Sequence, residues 1–179
     1  MKVIGINGSA NKAGNTHMAL EIVGEEFKKK SIGLEILDLV EFNINPFSFS
    51  SKAMKEDDIP GIFEKVVACD GLILASPTYY SNVTSRMMMF IERIGVLSRG
   101  RLKGIIGAPI AVVRRAGANF VYAALNFFFG IHEMPIATST YWNMVVAREP
   151  GAIKNDAEGI RTLQNLANNM ADMIIKLRY

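Results

Sequence analysis

Short, uninterrupted apolar runs alternate along this chain with longer segments whose apolar residues recur every three or four positions. The first kind suits strands buried on both faces, and the second suits helices with one buried stripe. On this pattern strands are predicted at Val3–Asn7, Leu34–Leu39, Gly71–Ala75, Gly104–Val113 and Pro135–Tyr141. Helices are predicted over about Asn15–Lys30, Ile59–Ala68, Val83–Ser98, Gly117–Gly130 and Asp156–Leu177. Leu20, Val23 and Phe27 stripe the first helix; Ile160, Leu163, Ala167, Met170, Ile174 and Leu177 stripe the last. Pro60 falls in the first turn of the second helix, where its missing N–H costs nothing. Val40–Asp58 has weak patterning, Pro46 and several serines, and reads as an inserted loop.

Strands that alternate with helices define an α/β domain with helices on both faces of a parallel sheet. The expectation is a three-layer, doubly wound, five-stranded domain spanning 1–179, with the flavodoxin-like strand order 2-1-3-4-5 as its natural candidate. A chain of 179 residues suits one such domain with a substantial core, and no internal repeat or second domain is evident.

Composition narrows the function classes. Half of the residues are hydrophobic and 21% are charged, so the chain is neither disordered nor fibrous. No apolar run approaches the roughly 20 residues that span a bilayer, and Met1-Lys2-Val3 enters a strand without room for a signal peptide. The expected location is the cytoplasm, with no membrane partner. The net charge is only +3, and the densest basic run, Lys28-Lys29-Lys30, sits where cations complement a helix C-terminus. Nucleic acid is therefore not an expected partner. A single cysteine, Cys69, excludes both an internal disulfide and a cysteine-ligated cluster within one chain; the residue itself suits a buried thiol.

In a doubly wound sheet, ligands bind outside the carboxyl ends of the strands, at the switch point. Three polar loops follow the strands there. The first, Gly8–Thr16, leads from strand to helix and brings hydroxyls from Ser9 and Thr16 and an amide from Asn15 to a helix N-terminus, which suits phosphate. A helix-starting turn without a ligand has the same look. The second, Ser76–Thr84, offers the flat faces of Tyr79 and Tyr80 and the polar groups of Ser81 and Asn82; it suits a planar heterocycle, or a pair of tyrosines closing the sheet edge. The third is Arg114–Asn119. Arg114 and Arg115 there suit either a nucleotide phosphate or a solvated strand end.

Gly8-Ser9 with Gly14-Asn15-Thr16, followed by Ser76-Pro77-Thr78-Tyr79-Tyr80-Ser81-Asn82-Val83-Thr84, resembles the NADPH-dependent FMN reductase family of flavodoxin-like proteins, and most nearly its iron–sulfur flavoprotein-like branch. The likeness continues through Arg93 to Pro150-Gly151 and Asp156–Gly159. It implies that Ser9, Asn11, Asn15 and Thr16 hold an FMN phosphate, with Gly14 permitting close backbone approach. It implies that Pro77, Thr78, Tyr79, Tyr80, Ser81 and Asn82 line the isoalloxazine and ribityl chain, and that Ala116 and Gly117 close the other edge of the ring. The iron–sulfur branch carries a compact cysteine motif after strand 2, whereas Phe47-Ser48-Phe49-Ser50-Ser51-Lys52 has none, so no cluster and no other metal is expected. Position 11, often basic in relatives, is Asn here with Lys12 beside it.

The function expected on these grounds is an FMN-dependent oxidoreductase. It would move electrons from NADPH or NADH to a small acceptor such as a quinone, a flavin, a metal ion or oxygen. The alternative is an electron-carrier flavoprotein that docks protein partners, and a non-catalytic nucleotide-binding module is a third reading. No general acid or base is assigned, since the flavin carries the chemistry. His17 and His132 suit structural positions. Tyr141, Trp142 and Asn143 follow the fifth predicted strand and suit packing, a flavin contact or a partner subunit. Met87-Met88-Met89-Phe90 and Phe127-Phe128-Phe129 exceed what one helical face can bury. They point to a homodimer or homotetramer, unless the Val40–Asp58 loop covers them.

Overall fold

The computed structural model describes residues 1–49, 54 and 56–177. Among these, strands β1 (Lys2–Asn7), β2 (Gly33–Asp38), β3 (Gly71–Pro77), β4 (Ile106–Val113) and β5 (Met144–Val146) form one sheet in the order β2-β1-β3-β4-β5. Every neighbouring pair is parallel. This is the doubly wound sheet that the sequence pattern predicts, with the flavodoxin-like order 2-1-3-4-5 that was its natural candidate. Helices α1 (Asn15–Lys29), α2 (Ile59–Val67), α3 (Ser85–Ser98), α4 (Ala118–Ile131) and α5 (Ala157–Leu177) supply the outer layers.

The alternation of side chains along the buried strands explains the layering. Leu72 and Leu74 of β3 join one core cluster with α2, α3 and α4 residues such as Phe63, Phe90 and Phe129. Ile73 and Ala75 turn the other way and pack with Leu20, Val23 and Phe27 of α1 and Leu163 and Met170 of α5. Leu20, Val23 and Phe27 are all fully buried. Burying a side chain of this size removes about 1.5–3 kcal/mol of hydration cost, so this stripe fixes which way α1 faces. That in turn fixes the loop that enters it.

The fifth strand differs from the sequence expectation. Ile136, inside Pro135–Tyr141, makes one isolated parallel bridge to Gly107, with hydrogen bonds from Gly107 N–H to Pro135 O and from Ala137 N–H to Gly107 O, both 2.8 Å. The chain then leaves the sheet at Thr138-Ser139-Thr140, where the Ser139 hydroxyl donates to Tyr141 O at 2.7 Å. Such local side-chain bonds draw a segment into a turn. The ladder position beside β4 goes instead to Met144–Val146, in register with Ala111–Val113. Buried Asn143 anchors the new strand by donating from Nδ2 to Pro109 O at 3.0 Å.

The segment between β2 and α2 opens with a 3-10 turn, Leu39–Glu41. Residues 50–53 and 55 of the predicted Val40–Asp58 loop lie outside the described residues. The flanking parts are clamped onto α3 by Arg93, whose guanidinium donates to Asn45 O and Met54 O, each at 2.8 Å, and forms a buried bidentate pair with Asp57.

Candidate functional site

Asn7 pairs with Ala75 at the carboxyl ends of β1 and β3, which is where the strand order reverses. Loop 8–16 rises from this point. Gly8 N–H donates to Ala75 O at 2.8 Å, and a Cβ at Gly8 would lie 3.0 Å from Met87. The loop therefore starts pressed against the next strand and helix. Two side chains then fold it on itself. Ser9 Oγ accepts from Asn11 N–H at 3.1 Å, and Asn11 Oδ1 accepts from Ala13 N–H at 3.0 Å. Helix α1 begins after Gly14 with no side-chain cap. Its first-turn N–H groups are thus left for whatever the loop encloses.

Beneath the loop lies a polar support that the sequence reading passed over. Asn7 Nδ2 donates to Asp38 Oδ1 at 2.7 Å, while Asn7 Oδ1 accepts from Ser9 N–H at 3.0 Å. His17 Nδ1 meets the same Asp38 oxygen at 2.8 Å. Asp38, buried at the end of β2, so orients the amide that shapes the start of the loop.

The second loop is tied to the first through Thr84. Its hydroxyl donates to Gly8 O at 2.7 Å and accepts from Met87 N–H at 3.1 Å as the N-cap of α3. Val83 and Thr84 therefore precede α3, which starts two residues later than the periodicity predicts. Tyr79 and Asn82 exchange backbone hydrogen bonds of 3.0 and 2.9 Å across Tyr80 and Ser81. Both central residues have positive φ, 50° and 59°, which marks a type I′ turn held without glycine. Strain of this kind concentrates where a surface must be presented in one shape. Tyr80 at the tip is fully exposed. Gly117, φ 90°, abuts this turn: a Cβ there would lie 2.4 Å from Ser81 Oγ.

These loops enclose a cavity of about 340 Å³. Ser9, Asn11, Gly14, Asn15 and Thr16 line one wall; Pro77, Thr78 and Tyr79 line another. Val112, Arg114, Ala147, Arg148 and Pro150 complete it. Tyr80, Ser81, Asn82, Ala116 and Gly117 lie outside this lining, in the turn and the loop that abuts it. The side chain of Asn15 is engaged: Nδ2 donates to Glu149 O at 2.8 Å and Oδ1 accepts from Ile153 N–H at 3.2 Å. Thr78 Oγ1 is buried on the cavity wall and has no hydrogen-bond partner. A buried hydroxyl left in that state costs about 1–3 kcal/mol, so an acceptor or donor brought into the cavity would relieve it.

Several other residues stand away from this cavity. Tyr141 and Trp142 are exposed, have tilted rings with centroids 5.0 Å apart, and line a separate dimple with Met144 and Thr162. His132 packs against Phe128 and contacts Ser98 Oγ at 3.2 Å, a structural position as expected. Cys69 is buried, its thiol donating to Val66 O and Gly71 O at 3.0 Å, and burial pushes its pKa up to about 12. Met87, Phe128 and Phe129 are buried, but Phe127 and Ile131 are about three-quarters exposed or more. With Met88, Ile91 and Val96 they line an apolar groove of about 470 Å³ between α3 and α4, and none of the described residues of the 40–58 segment lines it.

The topology, with a cavity of about 340 Å³ at its switch point, defines a flavodoxin-like protein. The profile of the NADPH-dependent FMN reductase family matches residues 1–149, and the chain belongs to that family. Membership places it among FMN-dependent oxidoreductases. It is 30% identical to an iron–sulfur flavoprotein of Methanocaldococcus jannaschii, over 97% of each chain. It is 26% identical to an FMN-dependent NADPH-azoreductase of Staphylococcus aureus, over 88% of this chain and 87% of that one. Among solved structures it superimposes on a flavodoxin from the domain Archaea with a TM-score of 0.66 at 14% identity, each chain covered in full.

An iron–sulfur cluster does not fit these residues. Cluster irons need thiolate ligands, and the one cysteine in the sequence is a protonated thiol enclosed in the core. Among the described residues, no group of three or more His, Cys, Asp or Glu side chains could hold a metal ion, and no helix is long and apolar enough to cross a membrane.

Proposed function

We propose that the cavity between loops 8–16 and 76–84 binds FMN, and that the protein takes electrons from NADPH or NADH and passes them to a small acceptor. Quinones, free flavins, metal ions and oxygen are the acceptor classes this reading covers. The observation that carries it is the pairing of two unmet needs on one cavity: the uncapped N-terminus of α1 and the partnerless Thr78 hydroxyl. A phosphate satisfies the first, because first-turn N–H groups and the helix dipole favour an anion. The polar chain of the same nucleotide reaches the second.

In this reading Ser9, Asn11 and Thr16 present hydroxyl and amide groups to the phosphate, and Gly14 keeps the backbone clear of a side chain. Asn15 contributes its backbone N–H, since its side chain is committed to the 149–153 segment. Pro77, Thr78, Tyr79, Tyr80, Ser81 and Asn82 border the ring and ribityl chain, with Ala116 and Gly117 closing the far edge. Bound FMN supplies the hydride and electron chemistry. The polypeptide contributes N–H dipoles in the strained Tyr80-Ser81 turn and the Ala116-Gly117 loop, which favour negative charge at the ring edge without acid or base catalysis. The exposed Tyr80 leaves one side of the site open to the pyridine nucleotide and the acceptor.

The α3–α4 groove is read as the contact with a second copy of the chain in a homodimer or homotetramer, because exposed apolar side chains gather there.

Thr78→Val tests the site directly. It removes a hydroxyl that has no partner, so the flavin-free protein should keep or gain thermal stability while FMN affinity falls about tenfold. Equal FMN affinity in the variant and the parent would reject Thr78 as a site residue. No flavin uptake by the parent chain would reject the reading itself.

A further inference from the structure

The cavity wall formed by the end of β4 and the 147–150 segment carries positive charge, of which only Arg114 stood out in the sequence. Of the thirteen described residues lining the cavity none is acidic, and two, Arg114 and Arg148, are cationic. Loop 8–16 carries one cation, Lys12, which contacts Glu41 and does not line the cavity. The backbone on both sides of Arg148 is fixed. Ala147 N–H donates to Val113 O at 2.8 Å, and Glu149 O accepts from the Asn15 side chain, which belongs to the first turn of α1. Asn15 thus holds the 149–153 segment beside the helix N-terminus, and Arg148 stands on the wall facing it.

We infer that Arg148 is the specificity-determining cation of this site: it supplies the charge that pairs with the flavin phosphate and makes the protein select FMN over riboflavin. The inference rests on the FMN reading above. A guanidinium suits a phosphate dianion because its fork donates two hydrogen bonds in the geometry of the phosphate oxygens. Arg148 is available for this. Its Nε contacts Glu149 Oε1 at 3.0 Å, but both side chains are more than 60% exposed. A pair of that kind contributes little and exchanges readily for a better partner. Glu149 then acts as a competitor for Arg148, so removing its charge should strengthen phosphate binding. Arg114, on the same wall, adds to the positive field without being held by the Asn15 contact.

The test measures dissociation constants of FMN and riboflavin by flavin fluorescence for the parent chain, Arg148→Ala and Glu149→Gln. Arg148→Ala should weaken FMN by about 10- to 100-fold and leave riboflavin unchanged, so the preference for the phosphorylated form collapses. Glu149→Gln should move FMN the other way, tightening it while riboflavin again stays fixed. Equal weakening of both flavins by Arg148→Ala, or an unchanged FMN constant, would overturn the assignment while leaving the FMN site standing. Binding of neither flavin by the parent chain would instead overturn the FMN reading, and the assignment with it.

Discussion

Arg93 and Asp57 meet in a bidentate ion pair from which solvent is fully excluded on both sides. Burial alone would raise the Asp57 carboxyl, but the Arg93 guanidinium and the N–H groups of Asn45 and Ile59 outweigh it and hold the carboxyl below its usual range. The pair links α3 to the segment before α2.

Removing one partner leaves the other charged and enclosed. Asp57→Asn or Arg93→Met should each cost about 3–5 kcal/mol in a denaturant titration. The double substitution should lose less than the sum of the two. Equal and additive losses would mean that the contact does not hold the loop.

Gly117 is held in the left-handed region directly against Ser81. Gly117→Ala combines a strained backbone with a contact that something must yield to. The expected loss is about 1–3 kcal/mol, with the yielding part being the Tyr80-Ser81 turn. Altered flavin absorbance in the loaded variant checks this; an unchanged spectrum and unchanged melting temperature would contradict it.

Burial lowers the pKa of His132 below the ordinary imidazole value. The unfolded chain then takes up the proton first. Stability from this group is complete above the unfolded value of about 6.5 and falls as pH drops through the depressed folded value. Thermal melts from neutral pH to about pH 5 should show this decline, and His132→Gln should make it shallower. An identical pH dependence in the variant would remove His132 from the account.

Phe127 and Ile131 stand out of the α3–α4 groove into solvent. Charged replacements, Phe127→Glu with Ile131→Lys, should reduce the mass measured by light scattering to that of one chain while leaving its fold intact. A parent chain that already has the mass of one copy would reject the self-association reading.

Much of this fold was legible because its signals are local. Val3-Ile4-Gly5-Ile6 and Gly71–Ala75 are buried by two helical layers and so show no polar face, and the stripe of α1 is fully buried as its spacing requires. The fifth strand was not legible. Met144–Val146 is only three residues long, and its place is decided by pairing with β4 and by the Asn143 anchor, both of them long-range. The apolar pair Ile136-Ala137 competes for the same sheet edge through its own bridge to Gly107. That misplacement had a cost at the site. With the strand at Pro135–Tyr141, the Ala147–Pro150 segment did not read as a loop at the carboxyl edge, so Arg148 went unnoticed. Asn15 was legible at the junction of the first loop and α1, but its bond to Glu149 could be seen only in the folded chain. The Asn7–Asp38 support was hidden for the same reason: its two halves come from neighbouring strands far apart in sequence.

The central claim is that this cavity holds FMN and that the bound flavin accepts electrons from a pyridine nucleotide. Anaerobic mixing of FMN-loaded protein with NADPH, and separately with NADH, tests it most directly through the flavin absorbance. The account predicts rapid bleaching by at least one of the two, slowed or abolished when Tyr80-Ser81 is displaced by Gly117→Ala. Flavin that binds tightly yet stays oxidised with both nucleotides would contradict it, and would leave a carrier that receives its electrons from another protein.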